Sequence, residues 1–337
     1  MRIATYNVEW FASLFHEDGS LRRDQGWSGR RDIKRAQQID ALGTVFQALD
    51  ADAIMVIEAP DTNRHRSGPQ AIETFARHFD LRASKALIGF ENQTQQEIIL
   101  LYDPNKMSAR HDPIGTVDKD GHAPRFDGVF HWDLDTDAAL DAVRFSKPPL
   151  EVAIETNASK FRMIGVHAKS KAPHGARGAA QVMQLSIANR RKQLAQCIWL
   201  RQRVEAHLEA EDDLLVLGDF NDGPGLDEYE KLFGRSGVEI VLGEEDGIQL
   251  FDPHAKMALT SKIGATPTTS RFYIAHEKRF LQALLDYIMV SPGLRAKSPK
   301  WRIWHPFDDP ECWDKPSFRE ALLTASDHFP VTLNVDL

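Results

Sequence analysis

Short apolar runs recur along the whole chain, and they constrain the fold more than any other feature of the sequence. Each run is a few residues long and rich in β-branched side chains, which is typical of a buried strand. Between some of them, apolar residues three and four positions apart, from Ile33 to Leu49 and from about Ala179 to Leu208, predict amphipathic helices. Strands mixed with helices predict an α/β or α+β layered architecture. The runs are Ile54–Ile57, Ile98–Leu101, Leu150–Ile154, Met163–Val166, Leu214–Leu217, Ile288–Val290 and Val331–Val335.

Length and composition exclude several classes of protein. The 337 residues are 42% hydrophobic and 27% charged, which predicts a globular chain with a substantial core and excludes disorder, collagen-like repeats and a disulfide scaffold. Because no repeat or Gly/Ser-rich linker divides the sequence, we expect one domain over residues 1–337. No apolar run approaches the roughly 20 residues that span a bilayer, and no targeting segment precedes the first strand pattern. With only Cys197 and Cys312 as cysteines, we expect a reduced, cytoplasmic protein without a membrane anchor.

The charge balance bears on possible partners. The chain has 41 Lys and Arg against 49 Asp and Glu, a net charge of −8, which argues against broad electrostatic capture of nucleic acid. Local basic segments lie at Gly19–Arg35, which also holds Trp27, and at Lys169–Arg177. The Trp- and Pro-rich stretch Trp301–Phe318 is predicted to be irregular. For each of these segments a binding surface and an ordinary solvated or covering loop remain alternatives.

Polar residues at the tips of the apolar runs carry the chemistry. A turn or cap is the ordinary explanation at any one position, but the recurrence of Asn, Glu, His and Asp at six tips favours a shared site. If the later strands run antiparallel to the earlier ones, all of these tips meet at one edge. The early runs end at Asn7, Glu58, His167 and Asp219, and the later runs begin after Asp286 and after Asp327-His328.

Hard oxygen ligands at Glu58 and Asp327, with Glu9 nearby, are suited to Mg²⁺ or Mn²⁺. The absence of clustered Cys and His spacing argues against structural zinc. A carboxylate site of this kind most often handles phosphate.

The two histidines at strand tips, His167 and His328, supply proton transfer and charge stabilisation near neutral pH, provided that a carboxylate orients each ring. Glu97 and Asp286 are the candidate orienting residues. In Asp219-Phe220-Asn221, the first and third side chains project to the same side of an extended segment. A carboxylate that accepts a proton from water would then lie beside an amide that donates to an anionic oxygen, although a turn-forming Asp-Asn pair is the simpler alternative.

Taken together, these motifs define a known pattern. In chain order they are Tyr6–Trp10, the strand ending at Glu58, Val166–Ser170, Gly218–Asn221, Leu285–Ile288 and Ser326–Pro330. On these residues the chain resembles the endonuclease/exonuclease/phosphatase superfamily, which includes deoxyribonuclease I and exonuclease III. The resemblance implies a deoxyribonuclease I-like, four-layered α/β sandwich, in which two packed mixed β-sheets are flanked by helices and the site lies at one sheet edge.

The resemblance also implies roles for the site residues. Glu58 is the principal metal ligand, with Asp327 and Glu9 around the ion, and water attacks a phosphodiester in line without a covalent intermediate. By the same resemblance, Asn7 binds the site's waters or phosphate, Asp219 positions and deprotonates the attacking water, and Asn221 holds a non-bridging phosphate oxygen. His328 pairs with Asp286 at the phosphate. His167 is oriented by Glu97 and lies near the phosphate or the leaving oxygen.

Two positions depart from the family pattern. Ile57 precedes Glu58 where many relatives carry Gln, so a polar contact to the metal ligand is missing at that position. Lys147 lies near the place where many relatives carry Arg, and a lysine provides a point charge instead of a planar fork.

The leading functional prediction is a divalent-metal-dependent phosphodiester hydrolase, most of all a nuclease with DNA or RNA as substrate. The alternative on the same scaffold is a phosphatase or phosphodiesterase acting on inositol phosphates, phospholipids or another small phosphoester. A non-catalytic binding module is disfavoured, because every matched position keeps a competent side chain. No protein partner is implied.

Overall fold

Two mixed β-sheets, packed face to face, form the centre of the computed structural model, and helices cover both outer surfaces. The structure describes residues 1–92, 94–116, 123–133, 140–173, 175–223, 233–260, 266–275 and 277–337. Residue 174 of the basic segment 169–177 therefore lies outside the described residues. The strands are β1 (Arg2–Asn7), β2 (Ala53–Pro60), β3 (Lys85–Ile88), β4 (Gln96–Tyr102), β5 (Met107–His111), β6 (Phe130–Trp132), β7 (Asp141–Val143), β8 (Leu150–Thr156), β9 (Lys160–His167), β10 (Leu214–Asp219), β11 (Ser270–Ile274), β12 (Arg279–Ala283), β13 (Asp286–Val290), β14 (Lys300–Ile303) and β15 (Val331–Asn334).

The helices begin and end close to the predicted boundaries where periodicity was strong. Every helix in the described part of the chain is too short or too polar to cross a membrane. A 3₁₀ turn covers Phe11–Leu14, and the α-helices are α1 (Arg35–Leu49), α2 (Gly68–His78), α3 (Ala179–Glu209), α4 (Gly237–Leu242), α5 (Pro253–Thr260), α6 (Pro292–Arg295), α7 (Pro310–Trp313) and α8 (Pro316–Ala325).

Strand order confirms the predicted architecture. The six-stranded sheet has the order β14-β15-β1-β2-β4-β3, and the five-stranded sheet has the order β13-β10-β9-β8-β5. Strand β1 pairs parallel with β2 and antiparallel with β15, while β10 pairs parallel with β9 and antiparallel with β13. The later strands therefore do reverse direction, as the gathering of polar tips at one edge requires. The four-layered α/β sandwich is confirmed.

One sequence prediction needs correction. The stretch Trp301–Phe318 is not irregular throughout, because it begins within β14, includes α7 and ends inside α8. Asp309 caps α7 by accepting a hydrogen bond from the amide of Cys312, and Pro310 and Pro316 open the two helices. Proline in the first turn is compatible with a helix because that position needs no amide donor.

Three apolar layers hold the sandwich together. One layer lies between the sheets, and the other two lie under the helices on each outer face. The sheets approach closely at Gly165, where a Cβ atom would lie 2.5 Å from the sulfur of Met55. Glycine suits this position because a side chain would have to displace Met55 and Ile98 of the other sheet.

Alternation along the strands decides which side chains enter the space between the sheets. Successive residues of a strand point to opposite faces, so one face collects every second residue. The buried inter-sheet layer takes Ile3 from β1, Met163 from β9, Leu217 from β10 and Ile288 from β13. The same alternation leads to Asn7, His167, Asp219 and Asp286 at the ends of these four strands.

Candidate active site

The polar tips of both sheets meet at the edge of the sandwich where β1, β2, β9 and β10 end. Asp219 lies at the centre of this edge and is almost completely buried. Its Oδ2 atom accepts hydrogen bonds from the amide nitrogens of Asn7 at 2.9 Å and Asn221 at 3.1 Å. The ring nitrogens Nε2 of His167 and His328 lie 3.7 and 4.0 Å from the same oxygen. The structure thus brings four predicted site residues around one carboxylate oxygen of a fifth, Asp219.

A tight turn directs Asn221 back toward Asp219. The backbone N–H of Asn221 donates to Oδ1 of Asp219 at 2.7 Å, and Asn221 has φ +49° in the left-handed region that asparagine tolerates. The two side chains therefore meet through a turn, and not through the extended segment that the sequence predicted. Gly218 permits the close packing just before this turn, because its φ is +137° and a Cβ would lie 2.1 Å from the carbonyl oxygen of Val166.

Burial gives Asp219 the properties of a base. Burial, together with the nearby Asp286 carboxylate, raises the pKa of Asp219 to about 6, against the opposing effect of the His328 charge. A carboxylate with a pKa near 6 is largely ionised at neutral pH and is basic enough to accept a proton.

His328 is held as a cation. Its Nδ1 lies 2.7 Å from Oδ2 of Asp286, which also accepts a hydrogen bond from the hydroxyl of Thr269 at 2.7 Å. Burial alone would lower the pKa of His328, but the Asp286 charge and hydrogen bond raise it well above 6.5. The predicted His328–Asp286 pair is therefore present in the structure, and Thr269 is a supporting residue that the sequence did not reveal.

His167 has the opposite character. Burial, the Lys147 ammonium and the His328 charge lower the pKa of His167 well below 6.5, so the ring is neutral at pH 7. Its Nδ1 atom is buried and makes no hydrogen bond within the described residues. The site thus combines one neutral and one cationic imidazole beside Asp219.

Glu97 does not orient His167. Its carboxylate accepts hydrogen bonds from the backbone and side chain of Asn92. Strand alternation explains why Glu97 does not reach His167. Ile99 and Leu101, on the same face of β4 as Glu97, pack under the helices, whereas Ile98 packs between the sheets. Glu97 therefore lies on the outer face of β4.

Gln96 is the residue of β4 that reaches the site. It lies on the inter-sheet side of the strand, lines the cavity, and donates a hydrogen bond from Nε2 to Oε2 of Glu58. The alternating pattern of β4 was the signal that distinguishes Gln96 from Glu97. Gln96 also supplies a polar contact to Glu58 that Ile57 does not provide.

A β-bulge turns Glu58 into the site. Pairing between β2 and β4 shifts between Ile57 and Ala59, and Glu58 has φ +61°, an uncommon left-handed conformation for this residue type. Strict alternation would have pointed Glu58 toward the helices, along with Val56. The bulge instead brings its Oε1 to 3.9 Å from Nε2 of His167.

Two further carboxylates complete the acidic edge. Glu9 forms an ion pair with Arg30, whose guanidinium also lies 3.9 Å from Oδ1 of Asp327. Burial raises the pKa of Glu58 to about 7, and burial and the Asp327 charge raise the pKa of Glu9 to about 7. Burial is the main cause of both shifts, and the repulsion between neighbouring carboxylates adds to it, while Lys147, Arg30 and His328 oppose it.

The donor set fits a hard divalent cation in part. Magnesium binds through one or two protein carboxylates together with waters and substrate phosphate, and Glu58 and Asp327 provide such a pair. Glu9 fits less well, because Arg30 already binds its carboxylate. Within the described residues, no group of three or more His, Cys, Asp or Glu side chains is placed to hold a metal ion. The protein therefore offers a sparse set of ligands that substrate oxygens would complete.

The site opens into a cavity of about 760 Å³ with two different walls. One wall carries the lysines Lys147 and Lys169 together with Lys171, which forms an ion pair with the buried Asp222. The other wall is apolar and comes from the β11–β12 hairpin, through Phe272 and Leu281. The ring of Phe272 contacts that of His328, with 5.4 Å between the ring centres.

Comparison with known proteins identifies the family and agrees with the fold. The Endonuclease/Exonuclease/phosphatase family model matches residues 4–328, and no curated protein matches the chain. Truncated TDP2 from Caenorhabditis elegans is similar over 98% of this chain and 96% of its own, with 12% identity and a TM-score of 0.53. An endonuclease/exonuclease/phosphatase family protein from Bacteroides thetaiotaomicron matches over 100% and 98% of the two chains, with 14% identity and a TM-score of 0.51.

A third similar structure contains a ligand. It is D. rerio TDP2 complexed with a single strand DNA product, and it matches over 100% of this chain and 99% of its own, with 10% identity and a TM-score of 0.51. At such identities the likeness establishes the fold alone.

The chain belongs to the endonuclease/exonuclease/phosphatase family, because the family match covers almost its whole length. Membership makes it a phosphoric ester hydrolase of the nuclease and phosphodiesterase type, and members of this family are generally dependent on divalent metals.

Proposed function

We propose that this protein is a Mg²⁺- or Mn²⁺-dependent phosphodiesterase that hydrolyses nucleic acid, with residues 1–337 acting as one catalytic domain. The observation that carries the proposal is the arrangement around Asp219: a buried carboxylate, held by two side-chain amides, between a neutral and a cationic imidazole. This arrangement provides a base and a fixed positive charge at the floor of one cavity.

Asp219 acts as the general base. Asn7 and Asn221 both donate to Oδ2 and hold the carboxylate in a fixed rotamer, while its raised pKa of about 6 suits proton transfer near neutral pH. A water that donates to Asp219 attacks phosphorus as its proton passes to the carboxylate. The new P–O bond forms as the bond to the leaving oxygen breaks in line, and the leaving oxygen then takes up a proton from solvent.

His328 stabilises the charge that develops on the phosphate. Because Asp286 keeps the ring protonated, Nε2–H is a charged donor that is already in place before substrate binds. His167 is a neutral ring whose Nε2 faces the same oxygen of Asp219, so it serves as a hydrogen-bonding group at the phosphate and not as a strong acid.

Glu58 and Asp327 would hold the divalent cation, and Gln96 would orient Glu58 by its hydrogen bond. When bound, the cation supplies positive charge to the non-bridging phosphate oxygens and offsets the mutual repulsion of the carboxylates. Glu9 is paired with Arg30 and contributes to the electric field at this edge of the sandwich. We place it outside the set of direct metal ligands.

The two walls of the cavity support a nucleic-acid substrate. Phosphate oxygens are suited to the lysine-lined wall, and a sugar or base is suited to the apolar wall formed by Phe272 and Leu281. Inositol polyphosphates lack an apolar part and leave this second wall unused. The apolar wall is also compatible with the acyl region of a phospholipid, which makes a phospholipid phosphodiesterase the second candidate.

A substrate screen tests the proposal. The purified protein with Mg²⁺ or Mn²⁺ is assayed against plasmid DNA, single-stranded RNA, inositol phosphates and sphingomyelin vesicles. We expect cleavage of a nucleic acid, with turnover abolished by a chelator and restored by added cation. Exclusive turnover of inositol phosphates or sphingomyelin would overturn the nucleic-acid assignment, and full activity in the chelator would overturn the metal assignment.

A further inference from the structure

The outer face of the β11–β12 hairpin carries a row of cationic and aromatic side chains outside the cavity. Because β-strand residues alternate, the hairpin presents Phe272, Ile274, Leu281 and Ala283 to the cavity, whereas Arg271, Tyr273 and Phe280 lie on its other face. On the solvent face, the rings of Tyr273 and Phe280 lie 5.2 Å apart, and the guanidinium of Arg271 lies 3.4 Å from the centre of the Phe280 ring.

The row continues beyond the hairpin in both directions. At one end, the guanidinium of Arg31, from the basic segment Gly19–Arg35, lies 3.6 Å from the Tyr273 ring centre. At the other end, Arg271 lies 5.6 Å from the ring of Phe307, which is 6.4 Å from the ring of Trp313. The hairpin thus joins two segments that the sequence marked as candidate binding surfaces. We call this row the stripe: Arg31, Tyr273, Phe280, Arg271, Phe307 and Trp313.

Three of the four aromatic side chains of the stripe are partly exposed to solvent. Phe280 is 46% exposed, Phe307 is 37% exposed and Trp313 is 50% exposed. A connected series of large apolar rings in water is unfavourable unless another molecule covers it. Base–aromatic stacking is tolerant of sequence, because every base presents a flat face.

Charge on the stripe is available for phosphate. Arg271 has no carboxylate within ion-pair distance among the described residues, although Arg31 also contacts Asp32 at 3.2 Å. Of the two acidic residues next to Phe307, Asp309 binds Arg302, whereas the carboxylate of Asp308 is 69% exposed beside His305, whose pKa burial lowers. The stripe is therefore locally suited to an anionic polymer in a chain whose net charge is −8.

The stripe is connected directly to the candidate active site. The backbone N–H of Arg271 donates to the carbonyl oxygen of Asp327 at 2.7 Å, and Ser270 forms a β-bridge with His328. On the opposite face of the hairpin, Phe272 contacts His328 of the candidate active site. A nucleic-acid strand that lies in the cavity would therefore reach the stripe by passing over the hairpin.

We propose that the stripe binds single-stranded nucleic acid that extends from the cavity, with bases stacking on Phe280 and Phe307 and Arg271 contacting the backbone. The proposal rests on the proposed function to the extent that the stripe serves the same cavity. In this proposal, residues that do not touch the reacting phosphate determine which length and strandedness of substrate the protein prefers.

Binding and turnover are measured separately to test it. Fluorescence anisotropy with labelled oligothymidylate, in a chelator to prevent cleavage, reports binding to the full chain. We expect Phe280→Ala and Arg271→Ala each to weaken binding about tenfold, as loss of one stacking or phosphate contact does. Arg271→Ala should also reduce the slope of log affinity against log salt concentration by about one, as for loss of one phosphate contact. Arg271→Lys should keep this slope and lose part of the affinity.

Matched controls exclude general effects. Trp132→Ala removes an exposed aromatic ring from the β6–β7 hairpin, and Arg110→Ala removes an exposed cation from β5, so both should bind oligothymidylate like the wild type. Turnover of bis(p-nitrophenyl) phosphate, which is too small to reach the stripe, should be unchanged in all of these variants, and melting temperatures report folding.

The outcomes separate the two proposals. The proposed binding surface is contradicted if folded Phe280→Ala and Arg271→Ala bind oligothymidylate like the wild type, or if the wild type does not bind it at low salt. Turnover of the small diester would in that case still support the proposed function. Absence of any diester turnover overturns the proposed function, whereas stripe-dependent binding in the same protein still supports the binding surface.

Discussion

The two ends of the β-sandwich treat buried negative charge in opposite ways. At the end where β1 and β2 begin, Arg82 contacts Asp50, Asp52 and Asp103. Burial would raise the pKa of Asp52, but Arg82 and a backbone hydrogen bond from Arg2 lower it below its usual value.

At the end where the same strands finish, the nearby cations do not offset the effect of burial on the carboxylate pKa values. The pKa of Glu58 is raised to about 7 and that of Asp219 to about 6, in each case chiefly by burial. The comparison teaches that carboxylates paired with a cation stabilise this fold. Buried carboxylates whose pKa stays raised mark the place where a cation and a phosphate are expected to bind.

The largest effect is expected from Asp219→Asn. The amide keeps the shape of the side chain but cannot accept the proton of water, so kcat/KM for a phosphodiester should fall roughly a thousandfold. The melting temperature should fall but the variant should remain folded, because asparagine has one acceptor oxygen where Asp219 accepts hydrogen bonds on both of its oxygens. Kinetics and thermal denaturation of the same preparation check both parts, and wild-type turnover would remove Asp219 from the mechanism.

The next effect is expected from His328→Ala, which removes the fixed positive charge. Turnover should fall about a hundredfold, as for loss of one preorganised charge-stabilising group. Asp286→Asn, which keeps the ring but weakens its hold on the proton, should give a smaller loss. Equal turnover in His328→Ala and the wild type would contradict the assigned role.

At the opposite end, Arg82→Ala should affect stability and not turnover. Removing the cation leaves partly buried Asp52 and Asp103 unpaired, so the free energy of unfolding should fall by about 2 kcal/mol. Arg110→Ala is the matched control, since it breaks an exposed pair with Asp112 and should cost less than about 1 kcal/mol. Urea denaturation measures both variants, and a large loss of turnover in Arg82→Ala would show that the two ends are coupled.

Gln96 and Glu97 provide a comparison between the two faces of one strand. Gln96→Ala should lower kcat/KM about tenfold and raise the Mn²⁺ concentration needed for half-maximal activity, because Glu58 loses its orienting hydrogen bond. Glu97→Gln should leave turnover within about twofold, since it lies away from the site. The reverse ranking would restore Glu97 as a site residue.

The smallest effect concerns the pH dependence of stability. Burial raises the pKa of Glu97 to about 8, whereas an unfolded glutamate titrates near about 4.3. Between these values the folded chain keeps a proton that the unfolded chain has released, so stability falls as pH rises through this window.

Glu97→Gln removes this contribution. The loss of unfolding free energy between pH 5 and pH 8 should therefore be smaller in the variant by at least about 1 kcal/mol. Parallel denaturation curves at the two pH values provide the measurement, and identical slopes in variant and wild type would contradict the raised pKa.

Much of this edge was accessible from the sequence, because strand alternation is a local property. Asn7, His167 and Asp219 follow the inter-sheet positions of their strands at intervals of two, Asp286 precedes those of its strand, and the fold places all four together once the later strands reverse. The same rule, applied to Ile98, would have preferred Gln96 over Glu97.

Other parts required the three-dimensional structure. Alternation predicts the wrong face for Glu58, since the β-bulge and positive φ at that residue depend on its pairing with β4. Arg30 lies in a loop distant in sequence from Asp327, and nothing in the pattern of either segment indicates their approach. The stripe likewise depends on contacts among three separate segments.

The most direct test of the central claim is the melting temperature of the wild type and of Glu58→Gln during titration with Mn²⁺ after removal of bound metal. If the carboxylates at the candidate active site lack positive charge, Mn²⁺ should raise the melting temperature of the wild type, and Glu58→Gln should lose most of this shift. An unchanged wild-type melting temperature, or an equal shift in Glu58→Gln, would contradict the account.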